Sequence, residues 1–152
     1  MSKYSYEDDI KITKAELAKV QLEDAIDLFL SGKRISVITL AGAAEEIFAR
    51  ILNIQGDDSV AEETWRNIEE VRKETGLLFA GDRNKNDAFK EWNKYRNILK
   101  HHSKNDGDTV SFSPFDEAYE MINRAKLNAD KLRITLKNRV DYENWLIENI
   151  YM

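Results

Sequence analysis

Apolar residues recur at three- and four-residue intervals along most of this chain, the spacing that gathers them on one face of a helix. Leu17, Val20 (with Leu22), Ala25, Leu28 and Phe29 follow that spacing. Thr13 opens the segment, because Thr13-Lys14-Ala15-Glu16 has the form of a capping box, in which hydroxyl and carboxylate each satisfy a free backbone N–H. Ser31-Gly32 closes it. A second helix is predicted over 34–54, with Val37, Leu40, Ala44, Ile47, Phe48 and Ile51 on one stripe. Its Ala41-Gly42-Ala43-Ala44 run has almost no side-chain bulk, so a neighbour can approach closely and the helix should be central.

Ser59-Val60-Ala61-Glu62 is another capping box and starts a third helix to about residue 74, with Trp65, Ile68 and Val71 inward. The apolar connector Gly76-Leu77-Leu78-Phe79-Ala80-Gly81 fits a buried loop or a helical turn, and periodicity does not choose between them. Asp87 is suited to cap a fourth helix with Ala88, Trp92, Tyr95 and Leu99 on one face, ending near His101-His102. After a polar loop and a short extended stretch at 109–112, Ser113-Pro114 supplies a serine cap and a proline at the first helical position. The fifth helix, with Phe115, Ala118, Met121, Ile122, Ala125, Ala129 and Leu132, should run to about residue 137. A terminal helix over about 141–151 docks through Trp145, Leu146 and Ile150. The expected fold is all-α: one domain over 1–152, an up-and-down-type bundle of five to six helices with its core at about 13–137.

Composition narrows the function. A hydrophobic share of 42% with a single proline excludes collagen-like and wholly disordered chains. The absence of cysteine excludes disulfides, thiolate metal sites and cysteine nucleophiles. No run of about 18 apolar residues exists, so no spanning helix and no membrane partner are expected. MSKYSYEDDI lacks the apolar region of a secretory signal, so the expected location is cytoplasmic. A net charge of -5 argues against generic electrostatic attraction to nucleic acid. Residues 83–104 break the pattern. They hold seven Lys/Arg against Asp87 and Glu91, a net of +5, which leaves -10 on the remainder.

Phosphate-binding glycine loops, a nucleophile elbow and the H-E-x-x-H zinc motif are all missing. Both histidines, His101 and His102, are adjacent, and adjacent helical side chains point about 100° apart, so they do not share one ion. No metal or cofactor is expected. The residues left are Arg96-Asn97-Ile98-Leu99-Lys100-His101, inside the basic segment. Asn97 and His101 share a face on an ideal helix, whereas Arg96 and His101 stand about 140° apart. Arg96 flanks the apolar stripe, where its stem can pack and its head can reach a neighbouring helix. Convergence of Arg96 and His101 on one phosphate therefore needs either an unwound helix end or two copies of the chain. A plainer alternative pairs the arginine with a glutamate of a neighbouring helix and leaves the histidines at a helix C-terminus, where the dipole favours them.

This arrangement, on a late helix of an all-helical chain, resembles the HEPN superfamily (higher eukaryote and prokaryote nucleotide-binding domains). Arg96 matches the family's arginine, Asn97 its polar residue and His101 its histidine; His102 also satisfies the spacing. The second helix, Leu40-Ala41-Gly42-Ala43-Ala44-Glu45-Glu46, is similar to the family's small-residue helix with an acidic position, for which Glu45 borders the stripe and Glu46 points away. The resemblance implies a metal-independent endoribonuclease, in that family often the toxin of a toxin–antitoxin or phage-defence system, working as a homodimer with paired Arg/His sets. It implies that Arg96 holds the scissile phosphate, that His101 exchanges a proton, and that Asn97 orients one of them. Lys94, Lys100 and Lys104 then attract the RNA backbone. The family's modified tyrosine two residues after the histidine is replaced here by Ser103, or by Lys104 counted from His102. The alternative function is a non-catalytic helical module that binds RNA or protein, and an antitoxin protein is a candidate partner.

Overall fold

The computed structural model describes residues 9–78 and 80–152. They form seven helices: α1 (Lys14–Leu30), α2 (Arg34–Ile54), α3 (Val60–Thr75), α4 (Lys85–Trp92), α5 (Lys94–Ile98), α6 (Pro114–Lys131) and α7 (Arg139–Leu146). The last of these widens into a π-turn over Ile147–Tyr151. Among the described residues there is no strand, and no helix is long and apolar enough to cross a membrane.

Side-chain caps fix several helix starts. Thr13 Oγ1 accepts the Glu16 N–H, Ser113 caps α6 with Pro114 in its first turn, and Ser59 with Glu62 completes a capping box. The helix ends show a second device. Gly32 and Gly56 take left-handed φ, and the amides of Lys33 and Asp57 reach back to Leu28 O and Leu52 O. These are Schellman turns.

The sequence placed the end of the fifth helix near residue 137, but α6 stops at Lys131. It uses the same turn with arginine in the glycine seat: Arg133 has φ 58°, and Ile134 N–H bonds to Ala129 O at 2.9 Å. The chain after it is held by α1 instead. Lys137 N–H donates to the buried Glu23 carboxylate, and Asn138 Nδ2 donates to Glu23 O and to Asp27 Oδ1. The predicted fourth helix is also corrected. Asn84, not Asp87, is its cap, and the helix breaks at Asn93 into α4 and α5, which raises the count from five or six to seven.

The main core joins α1, α2, α6 and α7. Leu22, Ile26, Phe29, Ile38, Phe48, Met121, Ile122 and Tyr142 are fully buried within it. Phe29 meets Phe115, Tyr142 and Trp145 in one aromatic cluster, and the Arg34 guanidinium lies 5.0 Å from the Phe29 ring. Trp65, Ile68 and Ala88 make a smaller core between α3 and α4, with Phe89 and Trp92 against it. Two stripe assignments do not hold, since Val20 and Ile150 face solvent; Ile26 takes the inward place on α1 and Tyr142 that on α7. The described residues of the connector, 76–78 and 80–81, are neither buried nor helical, and Leu77 and Leu78 are exposed in a loop. Phe79, like residues 1–8, lies outside the described residues.

An L-residue at Arg133 carries a left-handed conformational cost of about 1–2 kcal/mol, larger than the extra chain entropy lost by glycine. Arg133→Gly is therefore expected to raise stability by about 0.5–1 kcal/mol. A urea titration showing a higher midpoint with an unchanged slope would bear this out; a lower midpoint would mean that the exposed Arg133 side chain stabilises the fold.

Candidate functional site

Glu45 projects from the inner face of α2 and is only 3% exposed, while Glu46 beside it is exposed. A carboxylate removed from water needs matched donors. Two arginines supply them. Arg96 Nη1 of α5 donates to Glu45 Oε2 at 2.6 Å, and Arg124 Nη2 of α6 donates to Glu45 Oε1 at 3.0 Å. One carboxylate thus lies between two guanidiniums, and the cluster carries one net positive charge. Arg96 is 9% exposed.

The small-residue run of α2 makes room for this. A Cβ built on Gly42 would stand 2.4 Å from Arg96 Cδ and 2.6 Å from Arg96 Cγ. The glycine is required by the stem of a buried arginine, which lies along α2 with its Nη1 3.5 Å from Gly42 O. Arg124 has a further task. Its Nη1 donates to Asn93 Oδ1 at 2.9 Å and to Trp92 O at 3.3 Å, so it grips the junction where α4 gives way to α5. Asn128, fully buried one turn further along α6, links α6 to both α2 and α3: its Nδ2 donates to Glu45 O and its Oδ1 accepts the Val60 N–H at 2.8 Å.

Arg96 and Arg124 together line a cleft of about 290 Å³ whose walls also carry Glu45, Glu46, Glu62, Arg50 and Lys85. The Nε atoms of both arginines are buried without a hydrogen-bond partner, so their donor capacity is not spent on Glu45. A larger open groove, about 720 Å³, lies on the other side of Arg124 between α3, α4–α5 and α6; Trp92, Lys94, Tyr95, Glu117 and Glu120 line it. Burial and the neighbouring Glu120 and Asp116 hold the Glu117 carboxyl above the usual carboxylate range.

Beyond Arg96 the sequence-derived candidates are scattered. Asn97 is exposed, and α5 ends at Ile98, before either histidine. Asn97 and His101 therefore do not share a helix face. His101, His102, Lys100 and Lys104 are exposed on the loop that follows, and Lys94 is exposed at the start of α5. That loop is closed at both ends: Phe112 returns to stack on Tyr95 with centroids 5.5 Å apart, and Asp106 Oδ2 accepts the Ser103 N–H at 2.7 Å. Hydrogen bonds from Ser103, with the nearby His102 and His101, hold the Asp106 carboxyl below its usual range. Within one chain the structure joins Arg96 to Glu45, and neither histidine lines the arginine cleft.

Among the described residues no group of three or more His, Asp or Glu side chains is placed to hold a metal ion. Arg124 was not singled out from the sequence. The signal for it was Asn128, a polar residue on the buried stripe of α6, with Arg124 one turn before it on the same side. No family model, curated protein or solved structure matches the chain.

Gly→Ala inside a helix ordinarily gains about 1 kcal/mol. At Gly42 the new methyl collides with the Arg96 stem, so Gly42→Ala is expected to cost about 1–3 kcal/mol in chemical denaturation. In an Arg96→Ala background the same substitution should become stabilising. A destabilising effect of equal size in both backgrounds would show that Gly42 serves something other than Arg96.

Proposed function

We propose that this chain is a metal-independent endoribonuclease of the HEPN kind, in which Arg96 binds the scissile phosphate and His101 moves the proton. The observation that carries this is a pair of arginines sharing one carboxylate beside a cleft: one negative charge on Glu45 against two positive charges, on Arg96 and Arg124. On the other walls Arg50 and Lys85 are offset by Glu46 and Glu62, so the cleft keeps one net positive charge, which attracts a phosphodiester.

Arg96 would hold the non-bridging oxygens and stabilise the charge that builds in the transition state. An imidazole would take the proton from the RNA 2′-hydroxyl as its oxygen attacks phosphorus. The bond to the 5′-oxygen breaks, that oxygen receives a proton, and the products are a 2′,3′-cyclic phosphate and a 5′-hydroxyl. His101 lies off the cleft in its own chain, so the proposal includes a homodimer of up-and-down bundles in which His101 of one copy meets Arg96 of the other. His102 stands ready to replace it, and Asn97 to orient either group. The exposed Lys94, Lys100 and Lys104 would add sequence-independent attraction to the RNA backbone. A cytoplasmic toxin restrained by an antitoxin protein is the biological setting that suits such an activity.

The second reading, a non-catalytic module that binds RNA or protein, is favoured by a specific contact. Arg96 is already held at 2.6 Å by Glu45, as a structural arginine would be.

Incubation with single-stranded RNA in excess EDTA separates the two. The wild type is expected to cleave RNA, to leave 2′,3′-cyclic ends and to spare DNA of the same sequence. His101→Ala, on an exposed loop, should fold normally and lose about 10²–10⁴-fold in rate, with Arg96→Ala equally impaired. Retarded RNA without cleavage would support the non-catalytic module, and neither effect would remove the nuclease and the RNA-binding form of the module together.

A further inference from the structure

Glu45 has two oxygens and two arginine partners, and the partners differ in how firmly they are held. Arg96 makes one contact with the carboxylate, through Nη1, besides a 3.5 Å approach to Gly42 O. Arg124 contacts the carboxylate through Nη2 while its Nη1 is held by Asn93 Oδ1 and Trp92 O. Arg124 is the fixed cation and Arg96 the one with less to lose on leaving. Leaving is costly for any buried carboxylate that would be stranded. With Arg124 in place, Glu45 is not stranded: its charge stays paired when the Arg96 guanidinium turns into the adjoining cleft, which both arginines line.

We infer that Arg124 is a positioning residue that keeps Glu45 neutralised and so frees Arg96 to bind an incoming phosphate. The inference rests on the nuclease reading for the identity of that phosphate, but the freedom of Arg96 is a property of the protein alone. Without Arg124, Arg96 becomes the sole counter-ion of Glu45 and is locked inward. Without the charge on Glu45, Arg96 is released whatever residue stands at 124. Lysine at 124 preserves the charge that neutralises Glu45 while losing the planar fork that spans Glu45 and Asn93.

The test needs no RNA. Full-length protein is treated with phenylglyoxal, which modifies accessible guanidinium groups, and modification of Arg96 is followed by peptide mass spectrometry. Circular dichroism and the denaturation midpoint serve as fold controls. Arg124→Gln is expected to slow Arg96 modification by about five- to tenfold, the lower range of coupling between two sites. Glu45→Gln should speed it, Arg124→Lys should restore most of the wild-type rate, and Glu45→Gln with Arg124→Gln should modify as fast as Glu45→Gln alone. Unchanged or faster modification in a folded Arg124→Gln protein would overturn the inference, as would failure of lysine to restore the rate. If Arg124→Gln does not fold, the comparison of Glu45→Gln with Arg124→Lys decides it: equal Arg96 rates in those two would contradict the proposed role. RNA cleavage measured on the same variants separates the two proposals. Wild-type protein inert toward RNA, with the modification pattern as expected, would remove the nuclease reading and leave the role of Arg124 standing.

Discussion

A carboxylate inside a protein must be matched or it protonates, and Glu45 is matched twice over. That requirement explains much of the local architecture. Two guanidiniums arriving from α5 and α6 fix the registers of both elements against α2. The arginine stem on one side forbids a side chain at Gly42. The arginine on the other side reaches past Glu45 to Asn93 and Trp92, so the break between α4 and α5 is tied to the same carboxylate. Asn128 adds the backbone of Glu45 to a link with α3. Removing the carboxylate from such a group leaves two buried guanidiniums without their counter-charge, a loss that ordinarily costs about 3–5 kcal/mol.

The distribution of charge follows from this. The basic stretch at 83–104 is not a uniform cationic face. Arg96 is turned inward to Glu45, and Arg83 pairs with Glu91 within the stretch. What remains at the surface is Lys85 and Lys90 on α4, Lys94 on α5, then Lys100 and Lys104 with the two histidines on the closed loop. The Tyr95–Phe112 stack brings both ends of that loop to α5. Nucleophile-activating imidazoles and a phosphate-binding guanidinium would thus come from adjacent stretches of chain but face different ways, which is the condition under which a second copy completes a site.

Local signals in the sequence were reliable where a side chain bonds its own backbone. The Ser59–Glu62 box, the Ser113-Pro114 start and the Ser31-Gly32 end mark boundaries that the structure keeps. They failed where the structure puts an unusual residue in a standard turn. Arg133 occupies a seat that normally announces itself as glycine, so α6 read six residues too long. The break at Asn93 also left little trace, because it is held from outside by Arg124, at a sequence distance of 31 residues. Of the site, the pairing of an inward arginine with a glutamate was legible from the flanking position of Arg96 and the border position of Glu45. Their third partner, Arg124, left only an indirect trace: Asn128, a polar residue on the buried stripe of α6 one turn beyond it. The placement of the histidines misled for a simple reason: the helix that was to carry them ends at Ile98.

Phosphate binding at this cleft requires the Arg96 guanidinium to leave Glu45. Its side-chain Nε–H resonance in ¹⁵N-arginine spectra reports this directly when a single-stranded 2′-O-methyl RNA, which binds without being cleaved, is titrated in. A saturable shift of the Arg96 signal, with the Arg124 signal held in place, is the expected result. An Arg96 signal that stays fixed while the RNA binds elsewhere on the chain, or while no RNA binds at all, would contradict it.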